Sequence, residues 1–188
     1  MSSDGKRVIV PLAAGFEEIE AVVPVDLLRR AGAEVVVAHL GEDALVVGRS
    51  GIGVRAEVPF GAVADAAMIA GAFDMLVLPG GPGVGVLRAD GRVVACARAM
   101  HEAGRWVGAI CAAPLVLRDA GVLGGRRFTA HFSTRGELPE ALTGAPVVRD
   151  GNVITSRGAG TAVAFGLELV RAIAGEGAGT AVAGDIML

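Results

Sequence analysis

The chain has 188 residues, 53% of them apolar, and a net charge of −3 with both signs scattered along its length. That length suits one domain, residues 1–188, with enough apolar material for a full core without staples. There is no basic stripe, and one Trp, six Phe and no Tyr leave little to stack on bases, which argues against nucleic acid as a partner.

Met1–Arg7 is polar and leads into a short apolar run, Val8–Ala13, too brief for a secretion signal or a membrane span. The expectation is a cytoplasmic protein with no membrane partner. Arg7–Leu12 is a buried strand. In Glu17–Ala31, Ile19, Val22, Val23, Leu27 and Leu28 form one apolar helical face that ends at Gly32. Pro24, inside that pattern, predicts a kink or a join. Glu34–Leu40 is a second strand, and the Gly-richer Ala44–Val58 a small hairpin or edge excursion. Met75–Leu78 is a strand running into Pro79-Gly80-Gly81-Pro82-Gly83. Asp90–Ala103 is a helix and Trp106–Ile110 a strand. Ala112–Ala120 is a helix with Pro114 tolerated in its first turn. Arg127–Ala130 and Val147–Ser156 are the last strands, Thr161–Ala174 a long helix, and Ala178–Leu188 a short final element. Alternating strands and helices imply a mostly parallel sheet with helices on both faces. Sites in such sheets form beyond the carboxyl ends of the strands.

Three strand ends carry unusual residues. Gly15-Phe16-Glu17-Glu18-Ile19-Glu20 follows the first strand, Pro79-Gly80-Gly81 the third, and Cys111-Ala112-Ala113-Pro114 the Trp106–Ile110 strand. If those strands are neighbours, the three segments meet in one crevice. A cysteine between a strand and a helix N-terminus gains from unpaired N–H groups and the helix dipole, which favour thiolate. Its other reading is a small core hydrophobe. The N–H groups of Gly81 and Ala112 can form an oxyanion pocket, or the Gly pair can simply make a tight turn. Glu17, Glu18 and Glu20 suit a helix N-terminus through the dipole alone, but one of them can face the thiol. His131, in a loop, can orient or protonate a substrate, or be structural. His39, His101 and Cys96 read as packing residues. No G-x-G-x-x-G follows the first strand, no G-K-[ST] occurs, and the Cys and His residues are scattered. Hence neither a cofactor nor a metal is expected, and Cys96 and Cys111 suggest no disulfide framework.

With these residues in view, the sequence resembles the ThiJ/PfpI superfamily, and most closely its ThiJ branch of parkinsonism-associated deglycase-like proteins. The resemblance runs from Val8 to about Ile173. It is carried by Gly15-Phe16-Glu17-Glu18-Ile19-Glu20-Ala21-Val22-Val23-Pro24-Val25-Asp26, Leu76-Val77-Leu78-Pro79-Gly80-Gly81, Ala109-Ile110-Cys111-Ala112-Ala113-Pro114 and Ile154-Thr155-Ser156-Arg157-Gly158-Ala159-Gly160-Thr161, in that order and spacing. It implies a flavodoxin-like three-layer sandwich and a homodimer to whose interface the first helix contributes. It also implies that Cys111 is a nucleophile on a strained elbow, with Glu20 as the buried acid sharing a hydrogen bond with it. Gly81 and Ala112 match the backbone donors, His131 the nearby histidine, and Arg30 a basic residue near the site at the dimer contact, so that Gly80 and Arg30 are expected to bind substrate. Three positions depart from the pattern. Arg49-Ser50 stands in reversed order, which leaves an anion-binding role for Arg49 open. Ala159 replaces a proline. Ala112 stands where the protease-like branch has histidine, which argues against triad chemistry.

The function expected is a cofactor-free glyoxalase or deglycase. Cys111 would add to the aldehyde of a small electrophilic metabolite such as methylglyoxal, while Glu20 and His131 move protons. The same thiol also suits a redox sensor or stress chaperone, or an isocyanide hydratase-like hydrolase.

Overall fold

The computed structural model describes residues 5–63 and 65–188; the polar stretch read at residues 1–4 lies outside them. Strands β1 (Arg7–Leu12), β2 (Glu34–His39), β5 (Val58–Pro59), β6 (Met75–Leu78), β7 (Trp106–Ile110), β8 (Val147–Asp150) and β9 (Val153–Ser156) form one sheet in the order β5-β2-β1-β6-β7-β9-β8. All its pairs are parallel except β8–β9. A separate two-stranded ribbon joins β3 (Leu45–Val47) to β4 (Gly53–Arg55), the hairpin expected in Ala44–Val58.

The strand sequences explain the layering. Successive side chains point to opposite faces, so Val8 and Val10 enter one core and Ile9 the other, as do Met75 and Val77 against Leu76 and Leu78. Helices α1 (Glu18–Arg30), α6 (Ala162–Ala174) and α7 (Glu176–Asp185) cover the first face. Helices α2 (Ala66–Ala72), α3 (Val84–Ala89), α4 (Gly91–Glu102) and α5 (Pro114–Asp119) cover the second. Both faces are apolar because both are covered. Gly108 lets α6 approach β7, since a Cβ there would lie 2.8 Å from Leu169 Cδ2 and 3.2 Å from a Phe165 ring carbon. No described helix is long and apolar enough to cross a membrane.

Three expectations need correction. Arg127–Ala130 is not a strand. Its amides are satisfied by side chains instead of a ladder, Arg127 N–H donating to Asp150 Oδ2 at 2.9 Å and Thr129 N–H to Thr155 Oγ1 at 2.9 Å. Val147–Ser156 is a hairpin turned at Gly151, where φ is 58°. The short helices α2 and α3 carry too little apolar periodicity to be read from sequence. Across Pro24, α1 runs on as a single helix, and the proline packs where α1 passes closest to α6, beside Gly166.

Candidate functional site

Because β1, β6, β7 and β9 are adjacent, their carboxyl ends bring three of the segments singled out in the sequence to one place. Cys111 leaves β7 with φ 64°, in the left-handed region that a residue bearing a Cβ rarely adopts, at a cost of about 1–2 kcal/mol. Two backbone hydrogen bonds hold it there. Its N–H donates to the Ser156 carbonyl at 2.9 Å, and its own carbonyl accepts from His131 N–H at 2.8 Å. The thiol is partly exposed, and the N–H groups of Gly81 and Ala112 donate to its sulfur.

Glu20 is buried in the first turn of α1, 1% exposed. Its Oε2 accepts from Gly80 N–H at 3.0 Å, and its carboxyl is hydrogen-bonded to the Cys111 thiol. Glu17 caps the helix, accepting from Glu20 N–H at 2.8 Å. Gly80 must lack a side chain: a Cβ there would collide with Glu20 Oε2 and lie 2.5 Å from Cys111 Cβ. Its carbonyl accepts from Glu17 N–H at 3.0 Å, so both its backbone groups brace the site from within. Gly81 turns at φ 92°, in contact with the Gly15–Glu17 backbone.

The electrostatics are those of a coupled pair. Burial, aided by the charge of Glu17, pushes Glu20 up to about 7, against the pull of its hydrogen bonds and of Arg49. Burial and the neighbouring Glu20 push the Cys111 thiol up to about 12, while the Gly81 and Ala112 donors draw it down. Together the two groups release one proton near neutrality, and the charge that remains opposes loss of the second.

The other expected residues fall at different distances from this pair. His131 is adjacent through its backbone, and its Nδ1 is engaged by Ser133, with Oγ at 2.8 Å and N–H at 3.3 Å. Accepting that N–H leaves the ring proton on Nε2. Arg30 is not brought to the thiol within the chain. It sits at the far end of α1, bound to Asp26 at 2.7 Å. Arg49 is tied to the loop before α1, its N–H donating to the Phe16 carbonyl at 2.8 Å, and its charge draws the Glu20 carboxyl down. Ser156, given no role from sequence, clamps the elbow through its carbonyl, and its place in the Ile154–Thr161 segment that carries the family resemblance was the available signal. Cys96 is fully buried in α4. Among the described residues, no three Cys, His, Asp or Glu side chains gather as a metal site would require.

The geometry has relatives. The family model described as the DJ-1/PfpI family matches residues 6–172. Protein dj-1beta of Drosophila melanogaster is 36% identical over 175 residues, covering 91% of each chain. Deglycase TK1284 of Thermococcus kodakarensis is 34% identical over 168 residues, covering 88% of this chain and 98% of that one. The solved structure of oxidized DJ-1 from Toxoplasma gondii matches with a TM-score of 0.89 at 30% identity, covering 97% of this chain and 98% of its own.

Proposed function

The chain belongs to the DJ-1/PfpI family, and on that premise we propose that it is a cysteine-dependent, cofactor-free enzyme of the glyoxalase and deglycase type. Its substrates are small α-oxoaldehydes such as methylglyoxal, or early glycation adducts. The observation that carries the reading is the Cys111–Glu20 pair: a sulfur receiving two backbone N–H groups, hydrogen-bonded to a buried carboxyl raised to about 7. A relative bearing the name deglycase over 98% of its length supports the reaction class.

In this reading the proton that remains on the pair at neutral pH resides on Glu20, because sulfur receives two N–H donors and the carboxyl only one. The thiolate adds to the aldehyde carbon, and the carbonyl oxygen takes the Glu20 proton to give a hemithioacetal. The Glu20 carboxylate then removes the hydrogen on that carbon. The electron pair passes to the neighbouring carbonyl oxygen, which takes that proton from Glu20 to give an enediol. Its second carbon is then protonated from the His131 side while the hydroxyl on the sulfur-bearing carbon gives its proton back to that side, leaving a thioester. Water cleaves the carbon–sulfur bond, restores the thiol and releases the hydroxyacid. The net change is addition of one water, giving lactate from methylglyoxal.

The test is lactate formation from methylglyoxal, without glutathione, by wild type and Cys111→Ala. Lactate from wild type alone is expected. Equal turnover by Cys111→Ala, or none by a folded, reduced wild type, overturns the assignment.

A second reading uses the same sulfur as a peroxide sensor. A fully buried Cys96 is poorly placed to resolve a disulfide, so oxidation would run through sulfenic to sulfinic acid, with Glu20 donating to the new oxygen. The relative solved in its oxidized form motivates it. Intact mass after mild peroxide should show two added oxygens at Cys111; an unmodified thiol in a folded protein removes this reading. We further propose a homodimer that covers Ile19 and Val22 of α1 and Val47 and Ile52 of the hairpin, all exposed in the single chain. Sedimentation at micromolar concentration should give twice the chain mass.

A further inference from the structure

Beside the elbow lies a groove of about 390 Å³ that does not include Cys111 itself. It borders the site through His131 and Gly158. His131, on its wall, is hydrogen-bonded through its backbone to the Cys111 carbonyl. A Cβ on Gly158, also on its wall, would lie 3.5 Å from His131 Cδ2 and 3.7 Å from Glu20 Oε1. Pockets of about 300–1,000 Å³ take ligands of drug size, and a three-carbon aldehyde at the thiol would leave this one empty.

Its chemistry is one-sided. Arg135 and Arg157 line it, no Asp or Glu does, and Phe132 (72% exposed) and Leu142 supply apolar wall. Arg157 donates to the Thr143 carbonyl at 3.3 Å, and neither arginine is paired with a carboxylate among the described residues. By contrast Arg7, Arg29, Arg88 and Arg118 each hold a carboxylate. A chain of net charge −3 thus presents two arginines with no carboxylate partner among the described residues where a substrate extending from Cys111 would lie.

We propose that this groove is a subsite for an anionic tail, and that the substrates best matched to the enzyme are carboxylate-bearing carbonyl compounds several atoms longer than methylglyoxal. The proposal rests on Cys111 being the nucleophile. The carbonyl sits at the sulfur, the chain runs past His131 over Phe132 and Leu142, and the carboxylate meets the two guanidinium groups, which suit its planar geometry.

The test needs a reactive thiol but no turnover. Cys111 is alkylated with the α-bromoketone bromolevulinate and with its methyl ester; the thiolate attacks the bromomethyl carbon, a carbon–sulfur bond forms, and bromide leaves. Arg49 also attracts the anion, so the groove is read from the change between variants. The ratio of acid to ester rates should fall about fivefold in R135Q/R157Q, the sum of two partly exposed ion pairs, and recover in R135K/R157K. The ester rate monitors the thiol in every variant, and R135Q alone, at an exposed position, should shift the ratio in the same direction if the double variant does not fold. An unchanged ratio overturns the proposal. Methylglyoxal turnover on the same samples separates this from the glyoxalase reading: a shifted ratio without lactate keeps the groove and removes the activity, and lactate with an unshifted ratio does the reverse.

Discussion

Glu18 and Glu20 leave the same turn of α1 and are both buried, yet their surroundings drive them in opposite directions. Glu18 turns to the β3–β4 hairpin, where its Oε1 accepts from Ser50 N–H at 2.7 Å and Ile52 N–H at 3.4 Å. Burial pushes it up, but those backbone donors outweigh burial and hold it below the ordinary carboxylate range. Glu20 turns to the elbow, where it has one backbone donor, a thiol and the charge of Glu17, and burial wins. Two carboxylates on nearly opposite sides of one helix, about 160° apart, thus divide the work: one ties down a hairpin, the other holds a proton near neutral pH. What separates them is the number of donors each meets and the charge beside it.

The strongest way to break this contrast is Glu20→Gln. On the proposed function, in which Glu20 carries the proton, kcat/KM for methylglyoxal should fall by about 10²–10⁴-fold. The same substitution should stabilise the fold at alkaline pH. A carboxyl raised from 4.5 to about 7 contributes stability that is full below 4.5 and lost as pH rises through 7. With Gln at position 20 the buried pair no longer gives up its proton near neutrality, so unfolding free energy should rise by about 3 kcal/mol at pH 8, with the gain vanishing below the unfolded pKa. Denaturant titrations at both pH values check the sign.

Gly80→Ala attacks the same pair sterically. The added Cβ meets Glu20, Cys111 Cβ and the Ile110 carbonyl, so stability should drop by about 1–3 kcal/mol, as for other overpacked sites. Lactate formation should drop with it. On the other side of the contrast, Glu18→Ala should free the hairpin without removing the chemistry. Amide exchange at Ser50 and Ile52 should accelerate at least about tenfold, with a smaller kinetic loss than Glu20→Gln. Far from both carboxylates, Arg88 binds Asp119 at 2.7 Å and Glu137 at 2.8 Å. Arg88→Ala should cost only about 1 kcal/mol in a thermal or denaturant melt and leave the apparent pKa of turnover in place.

Much of this was legible in the sequence. Alternating strands and helices predict the layered parallel sheet, and three odd strand ends predict one crevice, because adjacent strands of a parallel sheet finish side by side. The pairing of Glu20 with Cys111 came from the family resemblance; spacing alone left Glu17, Glu18 and Glu20 as alternatives. The role of Glu18 was hidden because its donors arrive from residues 50 and 52, set by how the hairpin folds back. Arg127–Ala130 was misread because β-branched and extended character is local, whereas a strand needs a partner, and side chains of Asp150 and Thr155 take that partner's place. Arg30 lies about three turns along α1 from Glu20, a separation plain in the sequence once the helix is taken as unbroken at Pro24.

The most direct measurement is the ultraviolet absorbance of the Cys111 thiolate against pH, in wild type and Glu20→Gln, with Cys111→Ala as the blank. If the pair shares one proton and keeps it on Glu20, thiolate in wild type appears with a midpoint near 7 and moves upward in Glu20→Gln. No thiolate before strongly alkaline pH in wild type, or coincident curves for the two proteins, would contradict the account.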